Sequence, residues 1–129
     1  MVQFFIRSPR FPVICDVQGI IICARTARKL SEAVDSIELP QGEYLRLIDT
    51  AAEGWILDTD HKIVSPLTFR KHWTKKEVIE LFNRSKTAKQ RGLEFSARSL
   101  SSKRFDRIMG EIVELILSAD KSVERDRAI

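Results

Sequence analysis

The sequence of 129 residues lacks a complete catalytic, metal-binding or phosphate-binding motif. Its five glycines stand alone, so the sequence contains no glycine-rich loop of the kind that holds phosphates or dinucleotides. Only two histidines and two cysteines are present, which leaves few of the usual ligands for a metal ion. We therefore expect no catalytic residues, no metal site and no cofactor.

Cysteine is scarce, and its placement argues against both disulfides and nucleophilic chemistry. Cys15 and Cys23 lie inside the apolar runs "VIC" and "IIICA". Two thiols are too few for a disulfide framework, and in such segments they behave as small buried hydrophobic residues. Apolar surroundings also raise the pKa of a thiol, which disfavours the reactive thiolate.

The sequence has no long hydrophobic run and no recognisable export signal. The first residues, "MVQFFIRSPRFP", contain only a short apolar cluster, without the positive start and long apolar stretch of a secretory leader. No apolar run reaches the length of a membrane-spanning helix. We expect a cytoplasmic protein that does not bind membranes.

What the chain does have is the composition of a folded domain, with 43% hydrophobic and 31% charged residues. Its length fits one domain with one core. We predict a single domain over residues 1–120. Apolar periodicity is lost from about Lys121, so we predict a frayed tail over residues 121–129.

Apolar patterns predict the order of the structural elements. Residues 11–25, "FPVICDVQGIIICAR", predict a β-hairpin that turns near Gly19. Residues 26–37 have helical spacing behind Thr26, which is suited to cap the first turn. Residues 43–65 contain three short alternating runs, typical of a three-stranded meander.

Two helices are predicted to follow the meander. Thr74 and Glu77 form a capping-box sequence at the start of one helix, and residues 105–117 repeat apolar side chains at helical spacing in the other. The order β-β-α-β-β-β-α-α predicts an α+β fold in which three helices cover a small antiparallel or mixed sheet.

Positive charge is concentrated in one part of the chain. Residues 70–107 contain 12 basic and 4 acidic side chains. The connection between the last two predicted helices, which we expect to be irregular over residues 86–98, is a candidate for binding nucleic acid through phosphate contacts. The candidate contacts are Arg84, Lys86, Lys89, Arg91, Arg98, Lys103, Arg104 and Arg107.

The last predicted helix is also a candidate for self-association. Its segment "IVELIL" is apolar around most of the helix, so that more than one neighbour is needed to cover it. That neighbour is either the helix over residues 74–85 or the same helix of a second chain in a homodimer. The candidate contacts are Ile112, Leu115, Ile116 and Leu117.

A short stretch resembles a known catalytic motif. "WILDTDHKIVS" is similar to the first motif of the haloacid dehalogenase-like phosphotransferases, an apolar strand followed by Asp-x-Asp. The resemblance implies a nucleophilic Asp58, a proton-donating Asp60 and a magnesium ion held by both. The resemblance is confined to this stretch, and Asp58 to His61 also form an ordinary polar turn sequence between two strands.

The sequence as a whole favours a small, non-enzymatic interaction module that acts through a protein partner or through self-association. Nucleic-acid binding through residues 84–107 is the alternative. Magnesium-dependent phosphoryl transfer at Asp58 and Asp60 is the least favoured hypothesis.

Overall fold

A computed structural model describes residues 1–67, 72–94 and 103–127, with side chains up to residue 118 in the last range. In these ranges it contains a mixed sheet of six strands and four helices. The predicted α+β class is confirmed. The predicted division into a domain over 1–120 and a tail over 121–129 stays a prediction.

The strands follow the chain in the order β1 to β6. They occupy Gln3–Phe4, Val13–Val17, Ile20–Ala24, Tyr44–Asp49, Gly54–Asp58 and Ile63–Pro66. The helices α1 to α4 occupy Ala27–Asp35, Lys75–Arg84, Lys86–Arg91 and Phe105–Arg127. Across the sheet the strands are arranged β1-β6-β5-β4-β2-β3, and only the β1–β6 pair is parallel.

The predicted hairpin and meander are both present. Strands β2 and β3 are joined by Gln18 and Gly19, both in the left-handed region with φ of 51° and 91°. Such a two-residue turn matches the twist of the strands that it joins, and glycine adopts it without strain. Strands β4, β5 and β6 form the meander. Strand β1 was not predicted from the sequence.

The helices begin at the expected capping residues. Thr26 accepts a hydrogen bond from the Lys29 amide, and Thr74 and Glu77 form the reciprocal capping box at the start of α2. The predicted irregular connection over 86–98 is wrong in its first part, because α3 extends from Lys86 to Arg91. Residues 95–98 lie outside the described residues.

The two faces of the sheet carry separate hydrophobic clusters. On one face, inward side chains such as Leu47, Trp55 and Leu57 pack beneath Leu30 and Val34 of α1. On the other face, Ile14, Ile21 and Ile48 pack beneath helices α2, α3 and α4, which supply residues such as Phe82 and Ile112. The sheet therefore lies between one helix and a layer of three.

Helix α3 covers the start of the β3 edge of the sheet. The Ile21 amide donates to Thr87 Oγ1 at 2.8 Å, and the Lys86 amide donates to the Gly19 carbonyl at 2.7 Å. An exposed strand edge is a template for pairing with another chain, and covering it prevents such pairing. The start of α3 satisfies polar groups that would otherwise be open on this edge.

Candidate interaction surface

One face of the sheet is only partly covered by the described helices. Helices α2 to α4 pack on β2, β3 and the Ile48 end of β4. Since side chains alternate between faces along a strand, the pairing registers place the remaining residues of this face in two rows. The rows are Tyr44, Asp58, Ile63 and Gln3, then Arg46, Ile56 and Ser65. Phe5 directly follows β1, and its amide donates to the Val64 carbonyl at 2.9 Å, which places its backbone beside Ser65 at the end of the second row. We call these eight residues the open half-sheet.

The open half-sheet presents aromatic and aliphatic side chains at the surface. Tyr44 is 68% exposed and Phe5 is 60% exposed. Ile56 and Ile63 lie between them in the two rows and are half-buried. On the opposite face most side chains of the same strands are buried in the cluster that also contains Leu30 and Val34 of α1. A clustered apolar surface of this kind is typical of a site that another molecule covers.

A cavity of about 490 Å³ lies where the open half-sheet meets α2. Its walls combine the apolar side chains of Trp73 and Leu81 with charged groups of both signs. The charged residues that line it are Asp16, Arg46, Glu77, Glu80 and Arg84. The volume lies in the range of protein binding pockets, which is roughly 300–1,000 Å³.

Two of these charged groups have no protein partner among the residues that the structure describes. Arg46 on β4 and Glu80 on α2 are exposed, and the side chain of neither forms a hydrogen bond or ion pair with another described residue. Glu77, by contrast, accepts from the Thr74 amide in the capping box, and Arg84 Nε donates to the Glu80 carbonyl. Arg46 and Glu80 are therefore available to bind an oppositely charged partner.

The two aspartates of the Asp-x-Asp stretch are occupied by turn contacts. Asp58 Oδ2 lies 2.9 Å from His61 Nδ1, and Asp58 Oδ1 accepts from the Asp60 amide. The His61 hydrogen bond is the main reason that the pKa of Asp58 is below its ordinary value. Asp60 Oδ1 instead accepts from the Gly42 amide at 2.9 Å. Each carboxylate thus stabilises a turn.

Asp49 is a buried carboxylate that the sequence did not single out. It is 1% exposed and accepts from four donors: the amides of Arg10, Ala51 and Glu53 and the indole N–H of Trp55. It lies beside a cavity of about 280 Å³. Because its oxygens are saturated by the chain itself, Asp49 holds the turn between β4 and β5 and does not offer a ligand site.

The predicted nucleic-acid contacts fall into two groups. Near the start of α4, Lys103 Nζ lies 2.8 Å from Glu111, and Arg107 and Arg104 lie 3.6 Å and 3.7 Å from Glu111 and Asp106. The Lys103 hydrogen bond is the main reason that the pKa of Glu111 is lowered. These three cations share their surface with carboxylates.

The other group lies on α2 and α3. Arg84, Lys86 and Lys89 are exposed and form no ion pair with a carboxylate that the structure describes. Arg91 donates to the Ile116 carbonyl on α4 at 3.2 Å. Arg98 lies outside the described residues. Of the predicted contacts that the structure describes, those at the start of α4 therefore lie among carboxylates, whereas Arg84, Lys86 and Lys89 do not pair with any.

The predicted self-association residues are covered to different extents by the chain itself. Ile112 and Ile116 are buried in the core beneath α4, and Leu115 and Leu117 are half-buried against the same cluster. The first two therefore have no surface to offer a second chain. Self-association through Leu115 and Leu117 stays a prediction.

Comparison with known proteins gives no match. No family model, curated protein or solved structure matches this chain. Among the described residues, no helix is both long and apolar enough to cross a membrane, and no three His, Cys, Asp or Glu side chains are placed to hold a metal ion.

The open half-sheet was not predicted, although one signal was available. Tyr44 and Arg46 alternate with buried Leu45 and Leu47, which places an aromatic residue on the polar side of a strand.

Proposed function

We propose that the protein is a small, cytoplasmic, non-enzymatic interaction module that binds a protein partner on the open half-sheet. The observation that carries this proposal is the exposure of Tyr44 and Phe5 on a sheet face whose other half is covered by α2 to α4. Aromatic residues and arginine are enriched in protein interfaces, and Arg46 lies beside Tyr44 on the same strand.

The contacts of the polar groups also favour binding over catalysis. The carboxylates of Asp58, Asp60 and Asp49 accept hydrogen bonds that hold turns. The thiol of Cys15 is fully buried, and burial raises its pKa to about 12. These groups are occupied or shielded, whereas the open half-sheet presents a surface that a macromolecule can cover. Cys15 and Cys23 do not form a disulfide, which suits the reducing cytoplasm.

The proposal is tested by a photo-crosslinking phenylalanine derivative placed at position 44 in cells that produce the protein. An aromatic side chain replaces an exposed aromatic one, so folding is preserved. We expect one defined covalent adduct at position 44, identified by mass spectrometry. A matched probe at position 28 is the control, because Arg28 is 88% exposed on α1, on the opposite side of the sheet.

Equal crosslinking at positions 44 and 28, or none at position 44, would show that the open half-sheet binds no protein.

Phosphoryl transfer has a separate test. If the Asp-x-Asp stretch were catalytic, phosphoesterase activity would be lost in Asp58→Asn, whereas we expect the purified protein to have no such activity to lose.

A further inference from the structure

We infer that the cavity between α2 and the sheet binds a small zwitterion, an α-amino acid with an apolar side chain. This inference goes beyond the proposed function, because the ligand is a small molecule and Tyr44 does not line the cavity. Three features carry it. Both ends of α2 are fixed to the sheet, unpaired groups of both charges line the cavity, and an apolar wall lies beside them.

The floor of the cavity is the place where the covered part of the sheet becomes polar. Ile14 on β2 lies opposite Ile48 on β4, and both are buried beneath the helices. Two residues along each strand, on the same face and toward the same end of the sheet, are Asp16 and Arg46. The apolar cluster therefore ends at this point, and two charged side chains on neighbouring strands form the floor of the cavity.

Helix α2 forms the wall of the cavity and is held to the sheet at both ends. Before the helix begins, the Trp73 amide donates to the Ala52 carbonyl in the β4–β5 turn at 2.7 Å. Beyond its last residue, the Lys86 amide donates to the Gly19 carbonyl in the β2–β3 turn at 2.7 Å. These contacts fix the helix relative to the floor, so the site is formed before a ligand binds. A preformed site spares the ligand the entropic cost of ordering it.

The cavity contains unpaired groups of both charges. Glu77, Glu80, Leu81 and Arg84 are spaced to share one side of α2, and all of them line the cavity. Glu80 and Arg46 have opposite charge, yet they form no ion pair with each other or with another described residue. The carboxylates repel a polyanion, and the guanidinium groups repel a simple cation. A zwitterion satisfies both sets, with its carboxylate on Arg46 and its ammonium group on Glu80.

Two apolar residues determine the rest of the ligand. Trp73 is buried in the helix-side cluster, Leu81 is half-buried against that cluster, and both line the cavity. Binding sites commonly combine such an apolar wall with a few polar groups that orient the ligand. The volume of about 490 Å³ is sufficient for a free amino acid with a branched or aromatic side chain. The apolar side chain of the ligand therefore packs against Trp73 and Leu81.

The test is isothermal titration calorimetry of the purified full chain with L-leucine and two analogues. Isocaproate is leucine without its amino group, and isoamylamine is leucine without its carboxylate. We expect leucine to bind at one site per chain with a dissociation constant on the order of 100 μM, and each analogue to bind about ten-fold more weakly. Glycine, which lacks the apolar side chain, should also bind more weakly than leucine.

Two substitutions assign the two ends of the ligand. Arg46→Gln should weaken leucine binding about ten-fold without weakening isoamylamine binding, because the amine has no carboxylate to contact Arg46. Glu80→Gln should weaken leucine binding about ten-fold without weakening isocaproate binding. A general disturbance of the fold would instead weaken the binding of all three probes.

Arg28→Gln is the matched control, because it removes the same charge from an exposed position of α1 on the other side of the sheet and should leave leucine binding unchanged. Absence of leucine binding at millimolar concentration overturns the inference. Equal affinity for leucine and both analogues also overturns it, as does leucine binding that neither Arg46→Gln nor Glu80→Gln weakens.

Discussion

At the scale of single residues, burial decides which polar groups are available for chemistry. Cys15 lies in β2, is 0% exposed and has a pKa raised to about 12 by burial. Cys23 in β3 is only half-buried. The two thiols have similar sequence contexts. Their exposures differ because different side chains pack over β2 and β3. The sequence predicted that both thiols are shielded, but it could not show which of the two is more deeply buried.

The first prediction concerns the reactivity of these thiols. Raising the pKa of Cys15 from 9.0 to about 12 lowers its thiolate fraction at pH 8 about a thousand-fold. In the native protein we expect iodoacetamide to label Cys23 and to leave Cys15 unmodified, as measured by mass spectrometry of the peptides. In denaturant both thiols should be labelled. Native labelling of Cys15 at the rate of Cys23 would contradict the burial of β2.

At the scale of elements, local signals predicted the longer helices and the hairpin but not α3 or β1. The capping box at Thr74 and the glycine at the β2–β3 turn act within a few residues, so the sequence alone reveals them. Helix α3 has six residues, of which only Thr87 and Ala88 are buried, too few to establish a helical period. Strand β1 depends on pairing with β6, which lies far away along the chain.

Thr87 provides a test of how α3 stabilises the edge of the sheet. Thr87→Val keeps the shape of the side chain but removes the buried acceptor of the Ile21 amide. Leaving that amide unsatisfied costs about 1–3 kcal/mol. We therefore expect a corresponding decrease in the free energy of unfolding, measured by urea denaturation.

Thr87→Ser is the matched control, because it keeps the hydroxyl group and loses only one methyl group. Burial of a group of that size contributes about 0.8 kcal/mol to the free energy of unfolding. The serine variant should be more stable than the valine variant. The opposite ranking would mean that the Thr87 methyl contact, and not the hydrogen bond, secures α3 to β3.

At the scale of the whole molecule, the arrangement of layers determines where the candidate site lies. The alternation along β4 indicates that Tyr44 and Arg46 share a face, but it does not say whether a helix covers that face. Whether the face is covered depends on the positions of α2 to α4. These helices pack toward β2 and β3 because Ile14, Ile21 and Ile48 provide the apolar side chains against which they pack. The open half-sheet therefore follows from tertiary packing, which no local pattern contains.

The distribution of charge over the molecule also limits how it can bind nucleic acid. Of the predicted contacts, Lys103, Arg104 and Arg107 are paired with acidic side chains, and their charges are partly neutralised. Arg84, Lys86 and Lys89 remain exposed without such partners among the described residues. Three phosphate contacts give a slope of about −3 for log affinity against log salt with duplex DNA, whereas five give −4 to −5.

We accordingly expect any duplex binding at low salt to have a slope of about −3, measured by fluorescence anisotropy over a series of salt concentrations. Lys89→Glu should reduce the steepness by about one, because it removes an unpaired cation. Arg104→Glu makes the same change of charge at a cation that Asp106 already accompanies, so its effect should be smaller. A slope near −5 that both variants reduce equally would mean that the paired cations leave their carboxylates to bind phosphates. Residues 84–107 would then act as one basic surface, and nucleic-acid binding would replace protein binding as the better-supported function.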